Sequence, residues 1–457
     1  MGRIPKAGNL RENGTFPQGR LRTTEKRNLT ATQAKEPGNG TGHVAEPSEA
    51  DGIMNIAILG LTATSYGSHT YLKNLLPNLA RLDRSNRYEV FLPEANVQDL
   101  DARQANFHVH LHRWPPKSGT LRVLWEQLVL PWILRAHRVD AVYTTHSMAI
   151  LLSPLPSIII MQNVEPFFAG QFPNPPHLRA RLWLLRMMME FSLHRSPKII
   201  AISDWEKGFL VERFHLPPDQ IVVSYPGVTE GFRPPTPGSE ALLRERLGIE
   251  PPYLLSVTRL AGYGNLLNLA KAYVSLVKAG KVTMPLVVPG GVWDSQYIGK
   301  VKKLLAAEGC VDRVKFLGYV PHQDMPLLFG HAACFVFPSL LEACGTVLIE
   351  ALACGTPILC CRRRPMSDIC GDAAVLFDGE DPNDIAAKIF DVLSNQPLRE
   401  KLSRRAVERA TQFSWRQGAE KIYRIFEELA PRPVKPKSRK GGPNRSRTSL
   451  SRLRSSH

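Results

Sequence analysis

Glu342 and Glu350, with seven residues between them, are the side chains whose type and placement first suggest chemistry. They sit in Cys334-Phe-Val-Phe-Pro-Ser-Leu-Leu-Glu342-Ala-Cys-Gly345-Thr-Val-Leu-Ile-Glu350-Ala-Leu-Ala-Cys-Gly355-Thr-Pro357. The apolar run from Cys334 to Pro338 predicts a buried parallel strand, and Thr346 to Cys354 predicts a short helix. A strand, a turn and a helix N-terminus present backbone N–H groups to an anion, because the first helical turn has no partners of its own. A carboxylate on either side of that turn would repel bare phosphate. It suits a ligand with phosphates in the middle and hydroxyl-rich rings at both ends, such as a nucleotide sugar. The competing reading makes Glu342 a solvated loop charge and Glu350 a complement to the helix dipole.

The neighbouring residues bear on that choice. Pro338-Ser-Leu-Leu-Glu342, Cys344-Gly345 and Glu350-Ala-Leu-Ala-Cys-Gly355-Thr-Pro357 together resemble the Glu-x7-Glu signature of the retaining family-4 glycosyltransferases. The resemblance extends over most of residues 53 to 429. It implies an α/β GT-B fold, in which two doubly wound Rossmann-like domains face a cleft. It also implies roles. Glu350 would accept hydrogen bonds from ribose hydroxyls, and Glu342 would face the transferred sugar and favour positive charge at its C1. The amides of Gly345, Thr346 and Val347 would cradle the diphosphate. Gly290 and Gly291 would let backbone approach the donor.

These residues need elements to hold them. Met54-Asn-Ile-Ala-Ile-Leu-Gly60 predicts a strand, Thr62 to His69 a polar loop, and Tyr71 to Leu82 a helix by its apolar spacing. Tyr88 to Leu92, Val139 to Thr144, Ile158 to Met161 and Ile199 to Ile202 predict further strands, with a basic, apolar helix from Leu178 to His194. Gly67 would lie in a loop at a strand's carboxyl end, where open α/β sheets bind ligands. No G-x-G-x-x-G fingerprint is present, which argues against a dinucleotide cofactor. A second α/β series starts at Tyr253-Leu-Leu-Ser-Val257. It continues through Leu286 to Gly291, Val314 to Gly318, Cys334 to Phe337, Pro357 to Cys360 and Ala374 to Phe377. The expected organisation is a disordered tail at 1–52, an acceptor domain at 53–233, a Pro/Gly-rich linker at 234–252, and a nucleotide-sugar domain at 253–412. A crossing helix at 413–430 and a disordered basic tail at 431–457 complete the chain.

Breaking a sugar C1–O bond leaves a diphosphate whose charge needs a counterpart. Asp99-Leu-Asp101 has the text of a metal-binding pair but lies in a polar, helix-like stretch and reads as a solvated face. No metal is expected. Arg259 follows a strand and offers a rigid fork for phosphate. In the resembled family a lysine commonly stands five residues after this arginine; here that position is Gly264. Arg362, Arg363 and Arg364 could compensate, or could be an exposed basic turn. On the acceptor side, many relatives carry His-Asp where this chain has Gln162-Asn163-Val-Glu165-Pro-Phe. Neither amide can act as a base, so Asn163 would orient substrate. His146 and Glu165 are further cleft candidates.

The chain carries 457 residues and a formal charge of +17, with nine Lys/Arg and no Asp/Glu in residues 431–457. That tail could meet an anionic membrane surface or a phosphate polymer, or serve solubility alone. All seven cysteines fall between residues 310 and 370 without a Cys-x-x-Cys, which suits reduced core thiols. With no apolar run of spanning length and no secretory h-region, a cytoplasmic protein is expected, peripheral on the inner face of the membrane at most. The sequence reading is a hexosyltransferase, mannose or glucose type, using a UDP- or GDP-sugar and a glycan or lipid-linked acceptor of the cell envelope or exopolysaccharide. The alternative is a catalytically weakened binding subunit; no specific nucleic-acid partner is expected.

Overall fold

The computed structural model describes residues 53–61, 66–94, 104–112, 119–172, 176–291 and 294–430. Both expected tails and Asp99-Leu-Asp101 lie outside them. Thirteen strands among the described residues form two wholly parallel sheets. The first runs β3-β2-β1-β4-β5-β6-β7, from β1 (Asn55–Leu59), β2 (Arg87–Pro93), β3 (Phe107–His112), β4 (Ala141–Thr144), β5 (Ser157–Met161), β6 (Ile199–Ala201) and β7 (Ile221–Val223). The second runs β10-β9-β8-β11-β12-β13, from β8 (Leu254–Leu255), β9 (Leu286–Pro289), β10 (Val314–Gly318), β11 (Cys334–Phe337), β12 (Ile358–Cys361) and β13 (Ala374–Phe377). Strand order reverses between β1 and β4 and again between β8 and β11. At such a switch point neighbouring loops leave in opposite directions and open a crevice at the strands' carboxyl ends.

Strands buried on both faces read as continuous apolar runs. Ile56 and Ile58 of β1 join one core while Ala57 and Leu59 join another, and β5 divides in the same way: Ile158 and Ile160 pack apart from Ile159 and Met161. In the first lobe the covering helices are α1 (Tyr66–Leu82), α2 (Gly119–Leu128), α3 (Leu130–Ala136), α4 (Glu165–Phe168), α5 (Pro176–Arg195) and α6 (Asp204–Phe214). The seven cysteines are all buried and unbridged.

Three elements differ from the sequence reading. β3 was not anticipated: in Phe107-His-Val-His-Leu-His112 the apolar Val109 and Leu111 face solvent at this sheet edge. The stretch expected as a plain linker holds the helix Glu240–Leu247, anchored by buried Leu243. And α1 begins at Tyr66, so Gly67 sits exposed in its first turn, with nothing within 4 Å of where a Cβ would stand.

The last described helix, Trp415–Leu429, packs on the first lobe. Trp415 meets Tyr71 edge-on at 5.5 Å between ring centroids, and Phe426 lies against Tyr88 and Tyr143. Val228 N–H donates to the Phe413 carbonyl at 3.1 Å, and an added Cβ on Gly227 would come within 2.1 Å of the Trp415 nitrogen. Glycine is what permits this approach. Phe426 is wholly buried, an aromatic contribution of about 1.5–3 kcal/mol to holding the helix there.

Candidate active site

The second sheet places the two charged candidates side by side. Arg259 follows β8 and Glu342 follows β11, the two strands that flank the switch point. Ser339 Oγ donates to Glu342 Oε1 at 2.8 Å. Glu342 is half-buried, yet dense surrounding protein removes most of its solvent. That loss pushes its carboxyl up to about 7, against the pull of the Ser339 hydrogen bond and the positive charge of Arg259.

Gly345 turns the chain from the strand loop into the helix Thr346–Ala353. Its φ of +83° is a left-handed conformation that favours glycine, and no side chain caps the helix, so the N–H groups of Thr346 and Val347 open the first turn. The far end closes in a Schellman arrangement: Thr356 N–H donates to the Ala351 carbonyl and Gly355 N–H to that of Leu352. Glu350 lies in the second turn, almost buried, with its Oε1 2.8 Å from His322 Nε2. His322 in turn packs against Phe232 at 5.0 Å. A ligand hydroxyl at Glu350 would therefore share that carboxylate with His322, a partner the sequence reading did not name. Gly290, at φ +131°, ends β9, and a Cβ there would stand 3.8 Å from the Thr258 carbonyl oxygen; Gly291 is exposed beside it.

The position expected to carry lysine has no room for a side chain. An added Cβ on Gly264 would lie 1.8 Å from the Arg259 carbonyl oxygen and 2.8 Å from Thr258 Oγ1. Thr258 Oγ1 donates to the Gly264 carbonyl at 2.9 Å, and Asn265 Nδ2 donates to the carbonyls of Pro338 and Gly379. Glycine is thus built into the turn that carries Arg259. The three arginines offered as substitutes are each engaged: Arg362 with Asp384, Arg363 with Glu380 and Arg364 with Asp368. Arg363 Nη1 also reaches the Leu340 carbonyl at 3.5 Å, beside the Glu342 turn.

The first lobe meets this site through α4 and α6. Tyr263 hydroxyl points to Glu165 Oε2 at 3.5 Å, Phe172 packs edge-on against Tyr263, and Ser203 Oγ donates to the Ala343 carbonyl at 2.7 Å. Burial raises the Glu165 carboxyl above its ordinary range, opposed by Arg259, Tyr263 and Arg181. Asn163 is exposed, and its Oδ1 accepts from Glu165 N–H at 2.9 Å, starting α4. Gly67 touches none of these residues in the described contacts.

Beside Asn163 lies a group of which the sequence reading named only His146 and Gln162. His146 follows β4, Gln162 follows β5, and Ser147 Oγ accepts from Gln162 N–H, tying the two loops. Glu126 of α2, fully buried, has Oε2 3.4 Å from His146 Nε2 and Oε1 3.5 Å from Arg122 Nε. Both Glu126 oxygens, both His146 nitrogens, Arg122 Nε and Gln162 Nε2 are buried without a hydrogen-bond partner. Buried polar atoms are rarely left without a partner. A carboxylate within the apolar sequence of α2 was the available signal. Among the described residues, Glu89, His110 and His137 form a cluster whose ligand atoms lie within 4.8 Å of one another, but Glu89 is already held by Arg87, and the cluster joins β2, β3 and the end of α3, away from the switch point.

Comparison with known proteins follows the same division. Residues 66–231 match the model for Glycosyltransferase Family 4, and residues 240–409 the model for Glycosyl transferases group 1. The chain is 30% identical over 351 residues to D-inositol 3-phosphate glycosyltransferase of Salinispora arenicola, covering 73% of this chain and 72% of that one. It is 28% identical over 242 residues to O-antigen chain mannosyltransferase B of Escherichia coli, covering 52% of this chain and 62% of that protein. The crystal structure of WaaG, a glycosyltransferase involved in lipopolysaccharide biosynthesis, superposes with a TM-score of 0.65 at 19% identity, over 81% of this chain and 99% of that one.

Proposed function

The chain belongs to the family-4 glycosyltransferases of GT-B fold, and from that membership we propose that it moves a hexosyl group from a nucleoside diphosphate sugar to a glycan or lipid-linked acceptor, with retention at the anomeric carbon. The observation that carries this reading is the meeting of Arg259, Glu342 and the uncapped helix Thr346–Ala353 at the switch point of the second sheet. Diphosphate lies on the helix N-terminus and Arg259, so that fixed donors rather than a metal ion meet the charge developing on the leaving group. Gly290 and Gly291 form the adjoining wall. Ribose hydroxyls meet Glu350 with His322, and Glu342 faces the sugar. Ionised, Glu342 stabilises positive charge at C1.

The acceptor lies against the carboxyl ends of β4 and β5, where Glu126, His146 and Gln162 offer unmatched acceptors and donors and Asn163 borders the opening. The leaving diphosphate takes the acceptor proton, so no strong base is required of the first lobe. The enzyme works at a cytoplasmic membrane face, in envelope or exopolysaccharide synthesis. Thermal shift and donor hydrolysis across UDP-, GDP- and ADP-sugars, with and without divalent metal, test the donor half. One donor class should stabilise the protein and turn over without metal, with the product anomer read by NMR. Absence of turnover with every donor would favour a binding subunit instead.

A further inference from the structure

The outer end of the first sheet gathers histidines around a buried carboxylate. In Phe107-His-Val-His-Leu-His112 the histidines alternate along β3, the edge strand, which pairs with β2 alone. Glu89 of β2 is fully buried. Its Oε2 lies 2.5 Å from His110 Nε2 and 3.7 Å from Nδ1 of His137, the residue that ends α3. The other oxygen, Oε1, accepts from Arg87 Nε at 2.7 Å. One carboxylate oxygen thus converges with two imidazole nitrogens, all within 4.8 Å of one another, while a cation fixes the second oxygen.

Each of the three side chains is held by a different element, as a preformed ion site requires. His110 stacks on buried Phe91 at 4.9 Å between ring centroids, and His137 meets both rings edge-on, 4.5 Å from His110 and 5.8 Å from Phe91. Asn55 Nδ2 of β1 donates to the carbonyls of His137 and Arg138 at 2.6 and 3.3 Å, fixing the end of α3. Burial raises the Glu89 carboxyl, but hydrogen bonds from His110 and Arg87 bring it below its ordinary range, so it is ionised. The imidazoles of His110 and His137 are 29% and 31% exposed, which leaves an ion a path from solvent.

Two imidazoles and a carboxylate form a ligand set suited to zinc, with water as the fourth ligand. Bonds of about 2.0–2.2 Å place neighbouring ligand atoms roughly 3.3 Å apart, so His110 need withdraw by less than about 1 Å. Arg87 then serves as the outer partner that orients a ligating carboxylate. Magnesium, which prefers oxygen ligands, is disfavoured. We propose that Glu89, His110 and His137 bind a zinc-class divalent cation, which ties β2 and the edge strand β3 to the end of α3. The ion is separate from glycosyl transfer, since β2 and β3 lie outward of the switch point. Its test reads binding and stability, so failure here leaves the transfer reading standing, and the reverse.

The test strips the full chain with chelator and titrates zinc, cobalt(II) and magnesium into the parent, His110→Gln and His137→Gln. His137 is part-exposed and 3.7 Å from Glu89, beyond hydrogen-bond distance, so its replacement leaves the fold intact; the ion-free melting temperature checks each variant. His194→Gln, which alters an exposed histidine of α5, is the control. The parent should bind one equivalent of zinc and melt at least about 3 °C higher at saturation, with no response to magnesium. Cobalt in the parent should show the visible absorption of a tetrahedral site without a thiolate charge-transfer band, which decides the ligand class without any variant. Each cluster variant should weaken zinc binding at least about a hundredfold and lose the shift, while His194→Gln matches the parent. A stripped parent that takes up no zinc leaves only an Arg87–Glu89–His110 ion-pair network and overturns the proposal. Zinc binding unchanged in either cluster variant, or a thiolate band with cobalt, assigns the ion to other residues and overturns it as well.

Discussion

Glu342 is the residue whose protonation should set the pH dependence. Its folded-state carboxyl titrates near 7 against an ordinary value of 4.5, because the crevice removes its solvent. Below that range it is neutral and cannot favour charge at C1; above it, it can. Transfer should therefore rise with pH through about 7, and Glu342→Gln should lower activity and flatten this limb of the rate profile. The sign for stability is the reverse: the folded protein holds this proton more tightly than the unfolded chain, so ionisation costs stability as pH rises from 4.5 toward 7. The ligand-free melting temperature of the Gln variant should fall less across that window than the parent's. Separately, Arg259→Ala and Glu350→Ala should each reduce transfer by about a hundredfold with circular dichroism unchanged; unaltered kinetics in both would remove the site assignment. Glu126→Gln should raise the acceptor KM while leaving donor hydrolysis as it was, since its carboxylate lies in the first lobe. The glutamate pair was legible because the run from Cys334 to Ala353 spells one strand, one turn and one helix. His322 was not, because its meeting with Glu350 depends on how the β10–β11 connection folds back over the sheet.

At the scale of the element, the turn Arg259–Asn265 corrects an inference drawn from sequence. Lysine at 264 reads as a missing cation when only residue types are compared. In three dimensions the position is closed by the Arg259 carbonyl. Gly264→Lys should therefore not restore or raise activity. It should displace that carbonyl, lower the melting temperature and weaken donor binding, with a cost of about 1–3 kcal/mol or more; a gain in turnover would contradict this account of the loop. Apolar runs such as Leu286 to Pro289 were readable as strands because burial on both faces leaves one composition only. β3 was hidden for the opposite reason. Its histidines alternate with residues left at the sheet edge, so the pattern points its apolar side chains to water. The helix Glu240–Leu247 was masked by the prolines and glycines on either side of it.

On the scale of the whole molecule, the division into two α/β lobes was legible from two successive series of apolar runs. The contacts joining the lobes were not, because Ser203 with Ala343 and Tyr263 with Glu165 pair residues far apart in sequence. Removing residues 431–457 should leave transfer to a soluble acceptor unchanged, since every residue assigned to the site lies upstream; loss of solution activity on that deletion would return the tail to the centre of function. The helix Trp415–Leu429 has a further consequence for how the protein is made. Tyr71 and Tyr88 belong to the beginning of the described chain, yet Trp415 and Phe426 that cover them leave the ribosome after all of the second sheet. The amino-terminal lobe therefore waits, uncovered, through the synthesis of its neighbour. A nascent chain arrested before residue 413 should be cut by protease within that lobe, and release of the last helix should close it.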